Sequence, residues 1–339
     1  MASRSPPSIA SSRKSDVPND NRVAYRIIDR SAEHVRDERA EVIAGLIASP
    51  ASIAPKFFYD ELGCALYGAI CRLPEYYPTR IEVEIFREHR VEIAAAIGKG
   101  RQFVDLGAGD CCKAESWLPF VSPARYIAVD IAGPEIARAL DRMTPEFPET
   151  EMIGVVTDFS RTLDLDDVLD GRAVTFFYPG SSIGNFAPAE ALAFMARIHR
   201  HCASRPGSGL LIGVDGKKEK ARLDAAYDDA LGVTAAFNRN ALVHLNRRFG
   251  FDFAIDGFVH RGFYNEALGR IEMHLESTRD QSVRLGDASR RFASGERIHT
   301  ENSYKYSRGE FERLLREAGF ARTLSWSSAE GGYYVFFAS

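Results

Sequence analysis

Residues 103–112 read FVDLGAGDCC, a short apolar run that meets an acid and passes into a turn with glycine at alternate positions. The run is strand material that ends at Asp105, and Gly107 and Gly109 let backbone come close to a ligand. Working outward, Val-, Ile- and Phe-rich runs recur at ARYIAVDIAG (124–133), MIGVVTDF (152–159), AVTFFYPGSSIGNF (173–186) and GSGLLIGVD (207–215), with helical patterns such as AEALAFMARIHRHCA (189–203) between them. That alternation predicts a parallel sheet covered by helices on both faces.

Upstream, VRDERAEVIAGLIAS (35–49) and RIEVEIFREHRVEIAAAIG (80–98) carry apolar residues at helical spacing, so residues 30–100 read as mainly helical. After Asp215 the rhythm changes. Residues 217–249 read as helix, loop and helix, and residues 251–285 alternate as antiparallel strands do. SRGEFERLLREAGF (307–320) is a further helix with Ser307 as N-cap, and GGYYVFFAS (331–339) a terminal strand. The fold class expected is α/β: a doubly wound, Rossmann-like sheet interrupted by a second, smaller α+β unit.

Composition narrows the partners. Of 339 residues, 45% are hydrophobic and 27% charged, and the net charge of -4 gives no general attraction to nucleic acid or anionic lipid. No apolar run approaches the roughly 20 residues a membrane span needs. Residues 1–22, rich in Ser, Pro and charge, lack the apolar core of a signal peptide and read as a disordered tail. Cys64, Cys71, Cys111, Cys112 and Cys202 have no CxxC spacing, which suits a reducing, cytoplasmic setting. No His, Cys or carboxylate cluster has ligand spacing, so no metal is expected, and the vicinal Cys111 and Cys112 are poorly placed for one. Nothing in the sequence sets an oligomeric state, and a monomer is compatible with it.

The second strand ends at Asp130, 23 residues after Gly107. In open α/β sheets ligands lie beyond the carboxyl ends of the strands, and an acid there accepts hydrogen bonds from a ribose diol. A dinucleotide fits poorly. The third glycine of G-x-G-x-x-G is Cys112, and Asp110 would repel a pyrophosphate. S-adenosylmethionine has an adenosine and a sulfonium but no phosphate, and it suits a turn lined by Asp105 and Asp110. Asp158, in Thr157-Asp158-Phe159, would then meet the adenine amino group. An NAD-dependent dehydrogenase shares the fold but lacks this argument.

Longer blocks carry a resemblance. YDELGCALYGAICRLPEYYPTR (59–80), PGSSIGNF (179–186), AYDDALGVTAAFNRN (226–240), GRIEMHL (269–275) and TENSYKY (300–306) together resemble the ergothioneine-pathway L-histidine Nα-methyltransferases, over roughly residues 35–339. The resemblance implies trimethylation of the histidine α-amine to hercynine, with S-adenosylmethionine as methyl source and S-adenosylhomocysteine as product. It implies a methyltransferase domain (81–215 and 302–339) and a discontinuous substrate-binding domain (23–80 and 216–301). Position by position it implies Tyr59, Tyr76, Asn185, Tyr227, Met273, Glu301 and Ser303 at the substrate. Tyr59 and Asn185 would serve the reaction, and Asp105, Gly107, Gly109, Lys113, Asp130, Asp158 and Phe159 the cofactor.

The chemistry of those residues agrees. Asn185 and Tyr227 would donate to a carboxylate, Glu301 and Ser303 would hold imidazole nitrogens, Tyr76 would bound the ring, and Tyr59 would lie near the amine. Asp110, Cys111 and Cys112 stand where relatives commonly carry small hydroxyl residues, while Lys113 is retained. Two other outcomes stay open at this point: a methyltransferase of the same build serving another free amino acid or small amine, and a relative that binds an amine without catalysis.

Overall fold

The structure is a computed structural model that describes residues 25–31 and 38–339; the tail expected over 1–22 lies outside the described residues. In chain order the strands are β1 (Tyr25–Asp29), β2 (Ala51–Ser52), β3 (Gln102–Leu106), β4 (Arg125–Asp130), β5 (Glu151–Val156), β6 (Val174–Tyr178), β7 (Gly209–Asp215), β8 (Phe258–Asn265), β9 (Arg270–Ser277), β10 (Gln281–Leu285), β11 (Ala288–Phe292), β12 (Arg297–Tyr304), β13 (Thr323–Ser327) and β14 (Tyr333–Ala338). The helices are α1 (Glu38–Ile47), α2 (Glu61–Ile70), α3 (Tyr77–Glu88), α4 (Arg90–Ile97), α5 (Cys112–Glu115), α6 (Leu118–Val121), α7 (Gly133–Met143), α8 (Pro188–Ala203), α9 (Lys220–Tyr227), α10 (Val233–Phe249) and α11 (Arg308–Glu317).

The large sheet has the order β1-β5-β4-β3-β6-β7-β14-β13. Its first six strands pair in parallel, and β14 runs antiparallel to β7 and to β13. Strands β3, β6 and β7 are buried along their whole length, which is why they read as unbroken apolar runs. On one face Val104, Ile127, Phe176 and Ile212 pack with Phe194 and Ile198 of α8 and Phe311 of α11. On the other, Phe103, Tyr126 and Phe177 pack with Ile85 of α3, Ile93 of α4 and Leu140 of α7. Alternation along each strand supplies both cores. Ser307 does cap α11, accepting from the Glu310 amide at 3.3 Å while Glu310 returns a bond to the Ser307 amide at 2.7 Å.

The small sheet, β2-β12-β9-β8, has its own core of Leu46 of α1, Leu242 and Leu245 of α10, Phe258, Leu275 and Ile298. A separate hairpin, β10 and β11, adds Val283 and Phe292 to it. Three elements depart from the expected boundaries. Strand β1 falls in the stretch assigned to the small unit, yet it pairs with β5 on the large sheet; a short, half-exposed edge strand leaves little apolar pattern to read. Helix α3 runs across position 80/81. Strand β12 runs across 301/302, because the turn that ends it comes after Tyr304. Among the described residues, no helix is long and apolar enough to cross a membrane.

Candidate active site

At the carboxyl end of β3 the chain turns through Gly107 and Gly109, with φ of +72° and +53°. Such left-handed backbone costs a residue with a side chain about 1–2 kcal/mol. The Gly109 amide donates to Asp130 Oδ2 at 2.9 Å and the Ala132 amide to Oδ1 at 2.9 Å. The acid that ends β4 therefore joins two turns. Burial raises its pKa, and those backbone donors oppose the rise. The Phe159 ring is the nearest group to any side chain that would grow from Gly107, and it meets Tyr178 edge-on at 5.9 Å. Asp158 accepts from the Ser160 amide at 3.1 Å and lies 4.0 Å from Lys56 Nζ.

Two of the expected cofactor residues are braced from behind. Asp105 is buried and accepts from the Tyr126 hydroxyl at 2.9 Å, and burial pushes its carboxyl up to about 7. Lys113, on α5, places Nζ 2.7 Å from Glu82 Oε2. Burial opposes the Lys113 charge, but Glu82 outweighs it and holds the ammonium above its ordinary range. The other Glu82 oxygen accepts from the Gly180 amide at 2.6 Å and from the Tyr333 hydroxyl at 2.7 Å. One buried carboxylate thus ties α3 to α5 after the glycine turn, to the loop after β6 and to β14.

Facing this turn is the small sheet, and its decisive feature is a bulge. On β12, His299 pairs with His274 but Glu301 pairs with Met273, which leaves Thr300 as the extra residue, its hydroxyl donating to Met273 O at 3.0 Å. Without the bulge, Glu301 would fall on the face opposite Ile298. With it, Glu301 and Ser303 share the face of Ile271 and Met273. Burial pushes the Glu301 carboxyl up to about 7, while Lys305 pulls it down.

Other segments close on that face. Tyr227, the last residue of α9, has its hydroxyl 3.0 Å from Ser303 Oγ, and its carbonyl oxygen lies 2.8 Å from Nε2 of His260, whose Nδ1 meets Asn238 at 2.8 Å. Both ring nitrogens of His260 are thus engaged within the protein. Tyr76, just before α3, meets Tyr227 edge-on at 6.0 Å. Asn185 ends a 3-10 turn, Ser182–Asn185, between β6 and α8. Gly184 lets that turn lie against β12, since a β-carbon there would come within 2.8 Å of Tyr304 O. In the amide orientation that matches donor to acceptor, the Asn185 nitrogen is 3.2 Å from Asn302 O and 3.3 Å from Glu301 Oε1.

Tyr59 stands between the two halves. It follows a second 3-10 turn, Pro55–Phe58, and precedes Asp60, which caps α2 by accepting from the Gly63 amide at 2.8 Å and also accepts from Asn240 of α10 at 2.7 Å. Its ring packs on Tyr67 at 5.9 Å and Phe237 at 5.8 Å. Burial raises its pKa well above the ordinary value, and the charges of Glu301 on one side and Asp130 on the other add to the rise.

A family of histidine-specific, S-adenosylmethionine-dependent methyltransferases matches the chain over residues 38–339. The chain belongs to that family. The histidine Nα-methyltransferase of Mycolicibacterium smegmatis is 39% identical over 91% of this chain and 96% of its own length. Ergothioneine biosynthesis protein 1 of Neurospora crassa is 31% identical over 82% of this chain, which spans 32% of that longer protein. The 4-dimethylallyltryptophan N-methyltransferase of Claviceps purpurea is 26% identical over 90% of this chain and 96% of its own length.

In this methyltransferase the fold gathers Asn185, Tyr227, Met273, Glu301 and Ser303 around one buried face and Gly107, Gly109 and Asp130 around the turn, with Lys113 and Phe159 at its sides. Asp105 lies at the same edge of the sheet but is buried and engaged by Tyr126, while Asp158 accepts from the Ser160 amide through one oxygen. An opening of about 320 Å³ reaches Asn185 and Glu301 past Gly45, Ser52 and Phe57. A larger groove of about 490 Å³, walled by Arg161, Asp164, Arg197 and Arg200, contains none of these residues. Among the described residues, no group of three or more His, Cys, Asp or Glu is placed to hold a metal ion.

Sequence reasoning missed Glu82, Tyr77, Asp215 and Lys305. Asp215 ends an apolar strand just as Asp105 and Asp130 do, and that signal was available. Lys305 sits in the same alternation as Glu301 and Ser303. In the run 217–220, Lys217, Glu219 and Lys220 are exposed, and Lys218 is the one turned inward. The Lys218 side chain is 7% exposed and bonds Asp215.

Proposed function

We propose that this protein transfers methyl groups from S-adenosylmethionine to the α-amino nitrogen of L-histidine, three times on one nitrogen, yielding hercynine as a step in ergothioneine biosynthesis. The observation that carries this reading is the Thr300 bulge. It sets a carboxylate and a hydroxyl, Glu301 and Ser303, two residues apart on one buried face beside Asn185 and Tyr227. A neutral imidazole offers one N–H and one lone-pair nitrogen, so it needs one acceptor and one donor. Glu301 is the acceptor and Ser303 the donor. Asn185 and Tyr227 supply donors for the α-carboxylate.

The cofactor turn fits the proposed methyl donor. Open space lies over Gly109, where a β-carbon would meet nothing within 4 Å, and Asp130, Asp158 and Asp110 favour a cationic, phosphate-free nucleoside. In this reading Asp130 holds the ribose, Asp158 and Phe159 the adenine, and Lys113 the carboxylate of the amino-acid end. Bound there, the cofactor supplies a methyl group already activated on a sulfonium. The chain's own task is positioning. Tyr59 lies near the substrate amine, and because burial keeps it a neutral phenol, it passes a proton toward solvent or a water instead of storing it. The faces of Tyr59, Tyr67, Tyr76 and Phe237 suit a nitrogen that ends as a quaternary ammonium.

The four-stranded sheet with α9 and α10 serves as the substrate-binding unit, and the large sheet as the methyltransferase unit. A second reading, in which another aromatic amino acid is the substrate, is favoured by the Claviceps purpurea relative, named for a tryptophan derivative. The test is methyl transfer from labelled S-adenosylmethionine to a panel of free amino acids, with products resolved by mass. Histidine should be converted through one and two methyl groups to three. Faster conversion of tryptophan would favour the second reading, and binding without turnover of any amino acid would make the protein an amine binder.

A further inference from the structure

Lys305 is wholly buried two residues beyond Ser303. An ammonium has three N–H donors and no acceptor, and here all three are used: on Asp215 Oδ2 at 2.9 Å, the Tyr227 hydroxyl at 3.0 Å and the Ser303 hydroxyl at 2.9 Å. A hydroxyl oxygen that accepts from lysine must send its own proton elsewhere. Tyr227 and Ser303 are 3.0 Å apart, so without a ligand one of their protons can lie between them; because Lys305 already donates to each oxygen, both protons are free to turn to a bound amino acid.

Behind Lys305 the charges do not balance. Asp215, itself wholly buried, bonds both Lys305 and Lys218. Its Oδ2 also accepts from the Tyr77 hydroxyl at 2.7 Å, and its amide donates to Ser181 Oγ at 2.8 Å. Burial works against the Asp215 charge, but the two ammoniums outweigh it and keep the carboxylate ionised. Two cations against one anion leave a net positive charge at the back of the pocket, where low dielectric magnifies it.

We propose that Lys305 is a positioning residue: it sets the Tyr227 and Ser303 hydroxyls as donors toward the bound amino acid and leaves a positive charge behind its α-carboxylate. The pocket then selects an amino acid with a free carboxylate and an unprotonated ring nitrogen. This rests on the histidine reading above. Histamine, which keeps the ring and amine but lacks the carboxylate, is the informative comparison.

The test measures kcat/KM for histidine and histamine with wild type, Lys305→Met, and the paired Lys305→Met/Asp215→Asn, which removes both members of the ion pair and preserves the cluster's net charge. Adenosylhomocysteine affinity and Tm report folding. Each variant should lose about 100-fold on histidine, mainly through KM, and far less on histamine, the scale of one or two charge-assisted bonds. The groups facing Glu301 are Lys305, Tyr59 and the Asn185 amide. Removing the one cation among them should move the acid limb of kcat/KM to higher pH, which a merely structural role would not do. Should neither variant fold, Tyr227→Phe decides, since it must lower the histidine to histamine ratio, whereas Ser303→Ala must lower both because both substrates keep the ring. An unchanged ratio in a folded Lys305 or Tyr227 variant overturns the proposal. Failure of the wild type to methylate histidine would instead overturn the reading on which it rests.

Discussion

On the side proposed for the cofactor, Gly107, Gly109, Lys113 and Asp130 come from one stretch of 24 residues, and what positions them is mostly backbone: a left-handed turn and two amides on a carboxylate. On the side proposed for the substrate, Tyr59, Tyr76, Asn185, Tyr227 and the pair Glu301 and Ser303 come from five distant segments. There the positioning is done by buried side chains, Lys305 and Asp215 above all. A backbone device tolerates changes around it, whereas a buried polar network fails when one member is lost, because its partners remain desolvated and unpaired. Damage on the two sides should therefore read out differently.

The largest separation is expected from Asn185→Ala. Losing its contacts at the substrate should cut methyl transfer by at least about 100-fold, while calorimetry finds adenosylhomocysteine binding nearly intact. Equal loss of both would move Asn185 to the cofactor side and blur the comparison. Asp130→Ala is its mirror. It should weaken adenosylhomocysteine by about 1.5–3 kcal/mol, the worth of charge-assisted hydrogen bonds, and leave turnover at saturating cofactor much less affected. Unchanged affinity would refute the ribose assignment.

Gly107→Ala sharpens the backbone half of the contrast. The cost of about 1–2 kcal/mol for φ +72° should appear as a lower Tm with chemistry preserved once cofactor is saturating. The smallest effect, taken per pH unit, is a slope in stability. With Glu301 raised to about 7, the ligand-free folded protein binds a proton that the unfolded chain, titrating near 4.5, has released. Stability should therefore fall as pH rises across that window, by on the order of 1 kcal/mol per pH unit. Glu301→Gln should reduce the slope by about half, because Asp105, also raised to about 7 by burial, keeps its share, and a slope unchanged by the substitution would assign it to other groups.

The same contrast explains what the sequence revealed. Strands β3 to β7 were legible because burial on both faces writes itself as unbroken apolar runs, and the turn because glycine takes the left-handed φ of positions 107 and 109 without strain. Strand β1 was not, since a five-residue edge strand has little to bury. The Thr300 bulge was illegible: nothing in HTENS marks which residue is unpaired, and one residue decides whether Glu301 faces the pocket. The residues proposed for the substrate were reached through resemblance to a family, and the network behind them was not reached at all. Lys218 looked like one more surface lysine, and Lys305 sat in a matched block without a role, because a buried ion pair between residues 90 positions apart, Asp215 and Lys305, leaves no local pattern.

Substrate choice at Glu301 tests the account most directly. The quantity is kcat/KM for histidine relative to tryptophan, measured for the wild type, Glu301→Ala and Glu301→Ala with Met273→Ala, the latter because Met273 lies directly across β9 from Glu301. A buried acceptor built for a side-chain N–H discriminates strongly against rings that leave it unpaired. The wild type should therefore prefer histidine by a wide margin. Glu301→Ala should lower histidine turnover by about 10–100-fold and shift the ratio toward tryptophan, with the double variant shifting it further. A wild type that prefers a non-imidazole amino acid, or a histidine preference that survives Glu301→Ala unchanged, would contradict the account.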